Sequence, residues 1–532
     1  MTNHSLLKSS TIMAVGTIVS RITGLVRGLL LVAVLGTTLL GDTFNVANTM
    51  PNILYNLIIG GALTAVFVPQ IVRATSDEDG GSAFISRLVT ATFVFLAGLV
   101  LVAILLAPVL VRIFATSYIG RPEFEVTTLF MRYCLPQILF MGLFALLGQV
   151  ANAKGKFGPM MWAPVLNNLI AIAVFGWFLK YSTQPTVTTI PDSEIIWISL
   201  GCTVGYMAQA LILIPSISKT NIRIRPRFDW RDSELRKSLH LATWTLLFAA
   251  ISQVSYLVTV NLSTGAAVKS LNNGIETGVG FTPFSNALLI YMLPHSIITI
   301  SVVTALLPAL SKLAHEKKSP LIHDQLVSAM RLVGLVTVPS SIAFLFFGPL
   351  MTETLFFGIS LADSNYLGYT LSALALGLAP MSVNLIALRG LNAFENVKLQ
   401  VLSNAIMNIV AVIVSIIVAL TLPPEWVTVG LAGSLALSYY FGAWSTIRLL
   451  RRYGISIAIS EVFGFYLKLT VLALLVSFPI WFLRDLIPGG NMVRLFVVLA
   501  VCGVGYLALC KIARVSEITS AFQVLARRKK IG

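Results

Sequence analysis

The chain has 532 residues, 57% of them hydrophobic and 11% charged. Soluble domains carry about 25% charged residues, so this composition excludes a soluble globular protein. Lys and Arg outnumber Asp and Glu by 37 to 21, a formal net charge of +16, but the excess sits between apolar runs, which argues against a nucleic-acid partner.

Apolar runs of 18 or more residues recur along the whole length, each able to cross a roughly 30 Å hydrocarbon core. They predict an all-α polytopic membrane protein; a β-barrel would show short alternating segments instead. Fourteen spans are expected, at about 11–37, 44–72, 84–114, 123–151, 159–180, 194–217, 238–264, 281–310, 326–349, 367–391, 400–422, 427–447, 459–482 and 491–510. With the amino terminus in the cytoplasm, 26 of the 37 Lys and Arg fall in or beside cytoplasmic segments and seven on the other side. That is the positive-inside pattern, and it leaves both termini cytoplasmic.

The first span carries two arginines, Arg21 and Arg27. A guanidinium at the centre of a membrane helix costs about 2.5–3.5 kcal/mol even on the mildest scale, and it stays charged at working pH. On a helical projection Thr17, Ser20, Gly24, Arg27 and Gly28 gather in a wedge beside Arg21, with Val15, Ile18, Val19, Ile22, Leu25, Val26, Leu29 and Leu30 opposite. Two readings follow. The arginines snorkel to headgroups, or the small, polar, basic face lines a cavity for an anionic cargo; the clean segregation favours the cavity.

The second span carries another polar stripe: Asp42, Asn45, Thr49, Asn52 and Asn56, flanked by Asn48 and Tyr55. Pro51 can kink the helix there. Any one buried asparagine is more often helix–helix glue, but five polar residues on one face beside an arginine-bearing helix fit a water-lined wall. Asn167, Asn168, Asn404 and Asn408 are assigned to packing.

Between the sixth and seventh spans, residues 218–238 hold seven basic residues, and Asp232-Ser-Glu-Leu can start a helix. This reads as a basic linker with a surface helix. The two sides of it resemble each other. At an offset of 240 residues, Thr64-Ala65 matches Thr304-Ala305, Asn152-Ala153 matches Asn392-Ala393, Asn168 matches Asn408 and Ala171 matches Ala411, with Pro69 nearly matching Pro308. The expected organisation is a six-helix lobe (1–217), the linker (218–237), a second six-helix lobe in a pseudo-twofold repeat (238–452), two extra helices (453–510) and a basic cytoplasmic tail (511–532). Arg527-Arg528-Lys529-Lys530 in that tail would rest near anionic headgroups.

Catalytic signals are lacking. There is no phosphate-binding glycine loop, no zinc-type histidine pair and no nucleophile elbow. His295, after Pro294, has two readings, a cavity-lining residue or a satisfied buried histidine, and the second is favoured. Cys134, Cys202, Cys502 and Cys510 all lie in apolar segments and read as packing residues. The scarcity of in-span carboxylates argues against a drug–cation antiporter, which needs them to hold cation and proton. Neither a cofactor nor a bound metal is expected; a coupling cation stays open.

The first two spans read Ser20-Arg21-Ile-Thr-Gly24-Leu-Val-Arg27, Gly41-Asp42-Thr-Phe44-Asn45, Met50-Pro51-Asn52-Ile-Leu54 and Phe67-Val68-Pro69, and the eighth Leu293-Pro294 and Leu306-Leu307-Pro308-Ala-Leu-Ser311-Lys312. This pattern resembles the MurJ (MviN) family of lipid II flippases, within the multidrug, oligosaccharidyl-lipid and polysaccharide exporter superfamily. The resemblance implies a bacterial plasma-membrane transporter, not an enzyme. Its partner would be lipid II, the undecaprenyl-pyrophosphate-linked peptidoglycan precursor, moved from inner to outer leaflet by alternating access, with membrane lipids and cell-wall synthesis proteins as further partners. It places Arg21 and Arg27 in a central cavity, Asp42 at the family's acidic position, and the lipid tail in a groove around 459–510. Where family members carry further charges this chain has Gly28, Tyr55 and Leu289, so the substrate-binding expectation rests on Arg21 and Arg27 with Asp42, Asn45, Asn52, Asn56, Tyr55 and Gly24. The competing functions are export of another lipid-linked oligosaccharide, the drug–cation antiporter, and a scaffold for wall synthesis.

Overall fold

In a computed structural model, the backbone is described for residues 3–58, 68–74, 79–182, 185–220, 222, 224–229, 234–275 and 277–518. The paired Thr64-Ala65, the motif residue Phe67, Asp232 and the basic tail 527–530 lie outside the described residues; of Val68 and Pro69 only the backbone is described. Among the described residues all regular structure is helical. In chain order the helices are α1 (Asn3–Leu35), α2 (Leu39–Ile58), α3 (Val68–Ala74), α4 (Ser82–Leu105), α5 (Ala107–Phe114), α6 (Pro122–Cys134), α7 (Gln137–Ala153), α8 (Gly158–Tyr181), α9 (Asp192–Leu211) and α10 (Leu213–Ser218). They continue with α11 (Glu234–Asn272), α12 (Phe281–Pro294), α13 (Ile300–His315), α14 (Ser319–Leu355), α15 (Leu361–Ala375), α16 (Leu378–Ala393), α17 (Val397–Thr421), α18 (Pro424–Leu450), α19 (Ile459–Leu483) and α20 (Asn491–Ile512).

Eleven of the described helical segments are long and apolar enough to cross a membrane, and α15 with α16, bent by 44° at their junction, makes a twelfth. The expected count of fourteen is therefore not reached on length and hydropathy. The two remaining positions are occupied by α2, whose continuation at 59–67 is outside the described residues, and by α18. The latter is 27 residues long, enough for about 40 Å at 1.5 Å per residue, but it carries Ser434, Ser438, Ser445 and Thr446 on its buried side. Hydroxyl-rich helices of this kind hide from hydropathy because each hydroxyl bonds within the bundle.

The chain divides into two compact units, Met1–Thr282 and Pro283–Gly532. In the first, α1 packs along α8, α2 on α6, and α8 on α9. Phe44 of α2 meets Phe130 of α6 and Phe175 of α8 edge-on, at 5.3 and 6.1 Å between ring centroids. Asn167 donates to Gln209 of α9 at 2.9 Å. Residues 224–229 of the linker have no regular structure and lie against α4, while residues 234–237, at the expected Asp232-Ser-Glu-Leu helix start, already belong to α11. There the backbone N–H groups of Arg225 and Arg227 donate to Ser86 Oγ and Thr90 Oγ1 (3.2 and 3.1 Å), and Arg87 pairs with Asp229 at 3.0 Å. Two adjacent hydroxyls one turn apart on α4 thus supply the acceptors that an isolated extended segment lacks.

In the second unit, Val303, Leu306, Leu326, Met330 and Ile386 belong to one apolar core and Val338, Leu469, Ala473 and Tyr506 to another. The second core fastens α19 and α20 to α14. Tyr466 and Tyr506 donate to the carbonyls of Met330 and Leu335 at 2.8 and 3.2 Å. A buried hydroxyl network joins Ser403, Ser445, Thr446 and Asn384 across α16, α17 and α18. Between α12 and α13 the chain forms one π-helical turn, His295–Thr299, where buried His295 hydrogen-bonds to Ser382 Oγ at 3.0 Å. The helix order α6–α9 recurs as α15–α18 at the offset noted above: Asn152-Ala153 and Asn392-Ala393 end α7 and α16, and Asn168 and Asn408 are buried in α8 and α17.

Candidate functional site

On α1 the wedge of small and polar residues is a packing face. Thr17 is 3.8 Å from the Met161 sulfur, and Asn168 donates to the Ser20 carbonyl and to Thr23 Oγ1, both at 3.0 Å. A Cβ at Gly16 would collide with the Trp162 indole, so this glycine is what lets α8 approach; a Cβ at Gly24 would stand 3.5 Å from Asn168 Nδ2. Small residues permit close helix contact, the usual device where apolar driving force is weak. The expectation that this whole face is wet is thus corrected: most of it is covered by α8.

The two arginines part company. Arg21 lies at the edge of the wedge and is exposed, beside exposed Ile18 and Ile22. Arg27 is half-buried and turned toward α9, next to Cys202 and within hydrogen-bonding reach of the Tyr206 hydroxyl, with Cys134 of α6 nearby. A charge held by a phenol and polarisable sulfur atoms is better solvated than one in hydrocarbon.

The stripe on α2 also divides. Asp42 is fully buried. Its Oδ2 accepts from the N–H of Phe281 at 2.9 Å and its Oδ1 from that of Thr282 at 2.6 Å. These N–H groups open α12, where a carboxylate both caps the helix and meets its positive end. Asn45 donates to Gly41 O and to Thr282 Oγ1, each at 3.0 Å. Gly280, at φ +144°, could not carry a Cβ without striking the Asp42 carboxylate. Further along, Asn48 accepts from Gln137 of α7 at 3.1 Å and Thr49 bonds with Tyr256 of α11. Only after Pro51 does the stripe open: Asn52 is exposed, Tyr55 and Asn56 are half-buried, and Asn56 donates to Asn52 Oδ1 at 2.7 Å.

The expected residues therefore fall into two sets. Asp42, Asn45, Arg27 and Gly24 are engaged in contacts inside the first unit. Arg21, Asn52, Tyr55 and Asn56 leave polar atoms or rings accessible. Sequence reasoning missed the partners that make this division, Trp162, Tyr206 and the Gly280-Phe281-Thr282 segment. The glycines at 278 and 280 just before Pro283 were the available signal for a tight, capped helix start. No group of three or more His, Cys, Asp or Glu able to hold a metal is found among the described residues.

The family model for "Lipid II flippase MurJ" matches residues 31–501. The chain belongs to the lipid II flippase MurJ family. That family is one of lipid flippases, transporters and not enzymes. Among its relatives, the probable lipid II flippase MurJ of Vibrio cholerae is 26% identical over 386 residues, 70% of each chain. The one from Haemophilus influenzae is 25% identical over 497 residues, covering 88% of this chain and 90% of that one. Of solved structures, a lipid II flippase MurJ in an inward closed conformation superposes with a TM-score of 0.75 at 20% identity, over 96% of this chain and 100% of that one. An inward-facing multidrug resistance MATE family transporter of the MOP superfamily superposes at 0.63 and 14% identity, over 82% and 96%. These likenesses give the fold: an all-α, multi-pass inner-membrane protein of the MurJ and MATE type.

Proposed function

We propose that this chain carries the undecaprenyl-pyrophosphate-linked peptidoglycan precursor, lipid II, from the inner to the outer leaflet by alternating access, with both termini in the cytoplasm. Family membership across 31–501 supports the cargo class. The observation that carries the site is the exposed Arg21 on α1: a permanent cation inside a membrane-crossing helix, whose planar fork matches a diphosphate bidentately. Asn52, Asn56 and Tyr55 supply neutral donors for the polar headgroup. Arg27 and Gly24 position α1 against α8 and α9, and Asp42 with Asn45 fixes the start of α12. The sugar–peptide head is too polar for bare lipid and needs a protein path, while the polyprenyl tail stays in hydrocarbon along α19 and α20, whose Phe463, Leu475 and Val504 are 63, 61 and 69% exposed.

Lobes at 1–217 and 238–452, with 218–237 between them, would supply the moving parts, as internal repeats do in other secondary transporters. No bond is made or broken. The membrane potential can drive the outward move, since one charge through 100 mV is worth about 2.3 kcal/mol, and no cofactor is required. Cell-wall synthesis proteins could dock on the basic tail. The test is depletion of the protein in its own cell, followed by measurement of lipid II in each leaflet. The reading expects precursor trapped in the inner leaflet. Undisturbed flipping would leave only a scaffold role, and trapping of a different lipid-linked oligosaccharide would reassign the cargo.

A further inference from the structure

A second basic site lies in the second unit, away from Arg21 and the polar residues of α2 named for the headgroup, at one end of the α19 and α20 pair proposed above for the polyprenyl tail. Where the start of α19, the end of α20 and α14 come together there is a cavity of about 390 Å³. Arg331 from α14, Lys468 from α19 and Arg514 just beyond α20 line it, with Glu461, Glu517 and the Phe465 ring. Lys468 is one of the few cations inside a predicted span. Its ammonium donates to the Ala513 carbonyl at 2.8 Å, which leaves two of its three N–H groups for a ligand.

Arg331 lies over Phe465, 5.5 Å from the ring centroid, and its contact with Glu517 is long at 3.7 Å. Its Nε is buried without a hydrogen-bond partner among the described residues, an uncommon state for a charged donor. Arg514 sits at φ +51°, in the left-handed cap position that normally goes to glycine or asparagine. A long cationic side chain held there against backbone preference fits a functional demand better than a structural one.

We propose that this cavity binds the phosphate of an anionic membrane phospholipid. Three features set the ligand's chemistry. The cluster lies where α19 begins and α20 ends, two helices long and apolar enough to cross a membrane, and basic pockets at the ends of such helices are where anionic headgroups bind. The ligand must be amphiphilic, because beside and beyond Lys468 α19 shows exposed Leu467 and Val471. Its charge must be small, because three cations stand against two carboxylates; of the latter, Glu461 also meets His323 Nε2 at 3.2 Å. The surplus of one positive charge matches a phosphodiester monoanion. A lipid held here would brace α19 and α20 on α14.

The test uses the full-length protein in detergent, with native mass spectrometry of bound phosphatidylglycerol against phosphatidylcholine of identical acyl chains and, as a separate arm, undecaprenyl diphosphate. The proposal expects the wild type to retain phosphatidylglycerol in clear preference. Lys468→Gln, Arg331→Gln and Arg514→Asn, the last compatible with the left-handed backbone, should each weaken retention about fivefold, with melting temperatures in phosphatidylcholine unchanged. Equal retention of the two phospholipids, variants that bind like the wild type, or displacement of phosphatidylglycerol by equimolar undecaprenyl diphosphate would each overturn it. Lipid II flipping is read in a different assay, so failure here leaves the transport reading untouched.

Discussion

The two halves of α2 bear the same kind of side chain and use it in opposite ways. Before Pro51, Asp42, Asn45, Asn48 and Thr49 are each tied to another segment: the start of α12, α7 or α11. After it, Asn52 and Asn56 bond to each other and stay accessible. The arginines of α1 repeat the contrast, with Arg27 toward α9 and Arg21 exposed. Polarity in a membrane helix thus serves two ends, and its partners, rather than its residue type, tell them apart.

Substitutions can break or sharpen that contrast. The largest effect is expected for Gly280→Ala, where a Cβ would strike the Asp42 carboxylate and the backbone is held at φ +144°; strain and overpacking together should cost about 3 kcal/mol or more, read as a large fall in melting temperature in detergent. Arg27→Ala should follow at about 1.5–3 kcal/mol, the worth of a hydrogen bond to a charged group, with Tyr206→Phe adding little on top of it because the two share one contact. Asp42→Asn keeps the shape but turns an N–H toward the α12 backbone donors, and a loss of about 1–2 kcal/mol is expected. Asn52→Ala should move the melting temperature least, within about 0.5 kcal/mol as for other accessible positions, while slowing lipid II translocation. Equal destabilisation by Asp42→Asn and Asn52→Ala would erase the distinction between the halves.

Much of this was legible in the sequence. The apolar runs located the helices, and Asn152 and Asn392, at the ends of α7 and α16, marked the repeat. The helical projection of α1 picked out the small residues Thr17, Ser20 and Gly24 that meet α8, but put with them Arg21, which lies at the edge beside exposed Ile18 and Ile22. Periodicity, however, reports that a face differs and not what covers it: Gly16 admits Trp162, 146 positions away in the chain, and no local pattern announces that. Asp42 was singled out for its charge, but its role depends on Gly280, Phe281 and Thr282, which only the fold brings to it. Hydropathy alone passes over α2 and α18, where hydroxyls, amides and one proline lower it without preventing a buried helix.

The central claim is that the accessible guanidinium of Arg21, and not the polar stripe as a whole, engages the cargo. Translocation of lipid II in proteoliposomes, measured for wild type, Arg21→Lys and Arg21→Ala with melting temperatures from the same preparations, tests it most directly. The account predicts an unchanged melting temperature for both variants, a partial loss of transport for Arg21→Lys, and a loss of about tenfold to a hundredfold for Arg21→Ala, from the 1.5–3 kcal/mol of a charged hydrogen bond. Wild-type transport by Arg21→Ala would contradict it.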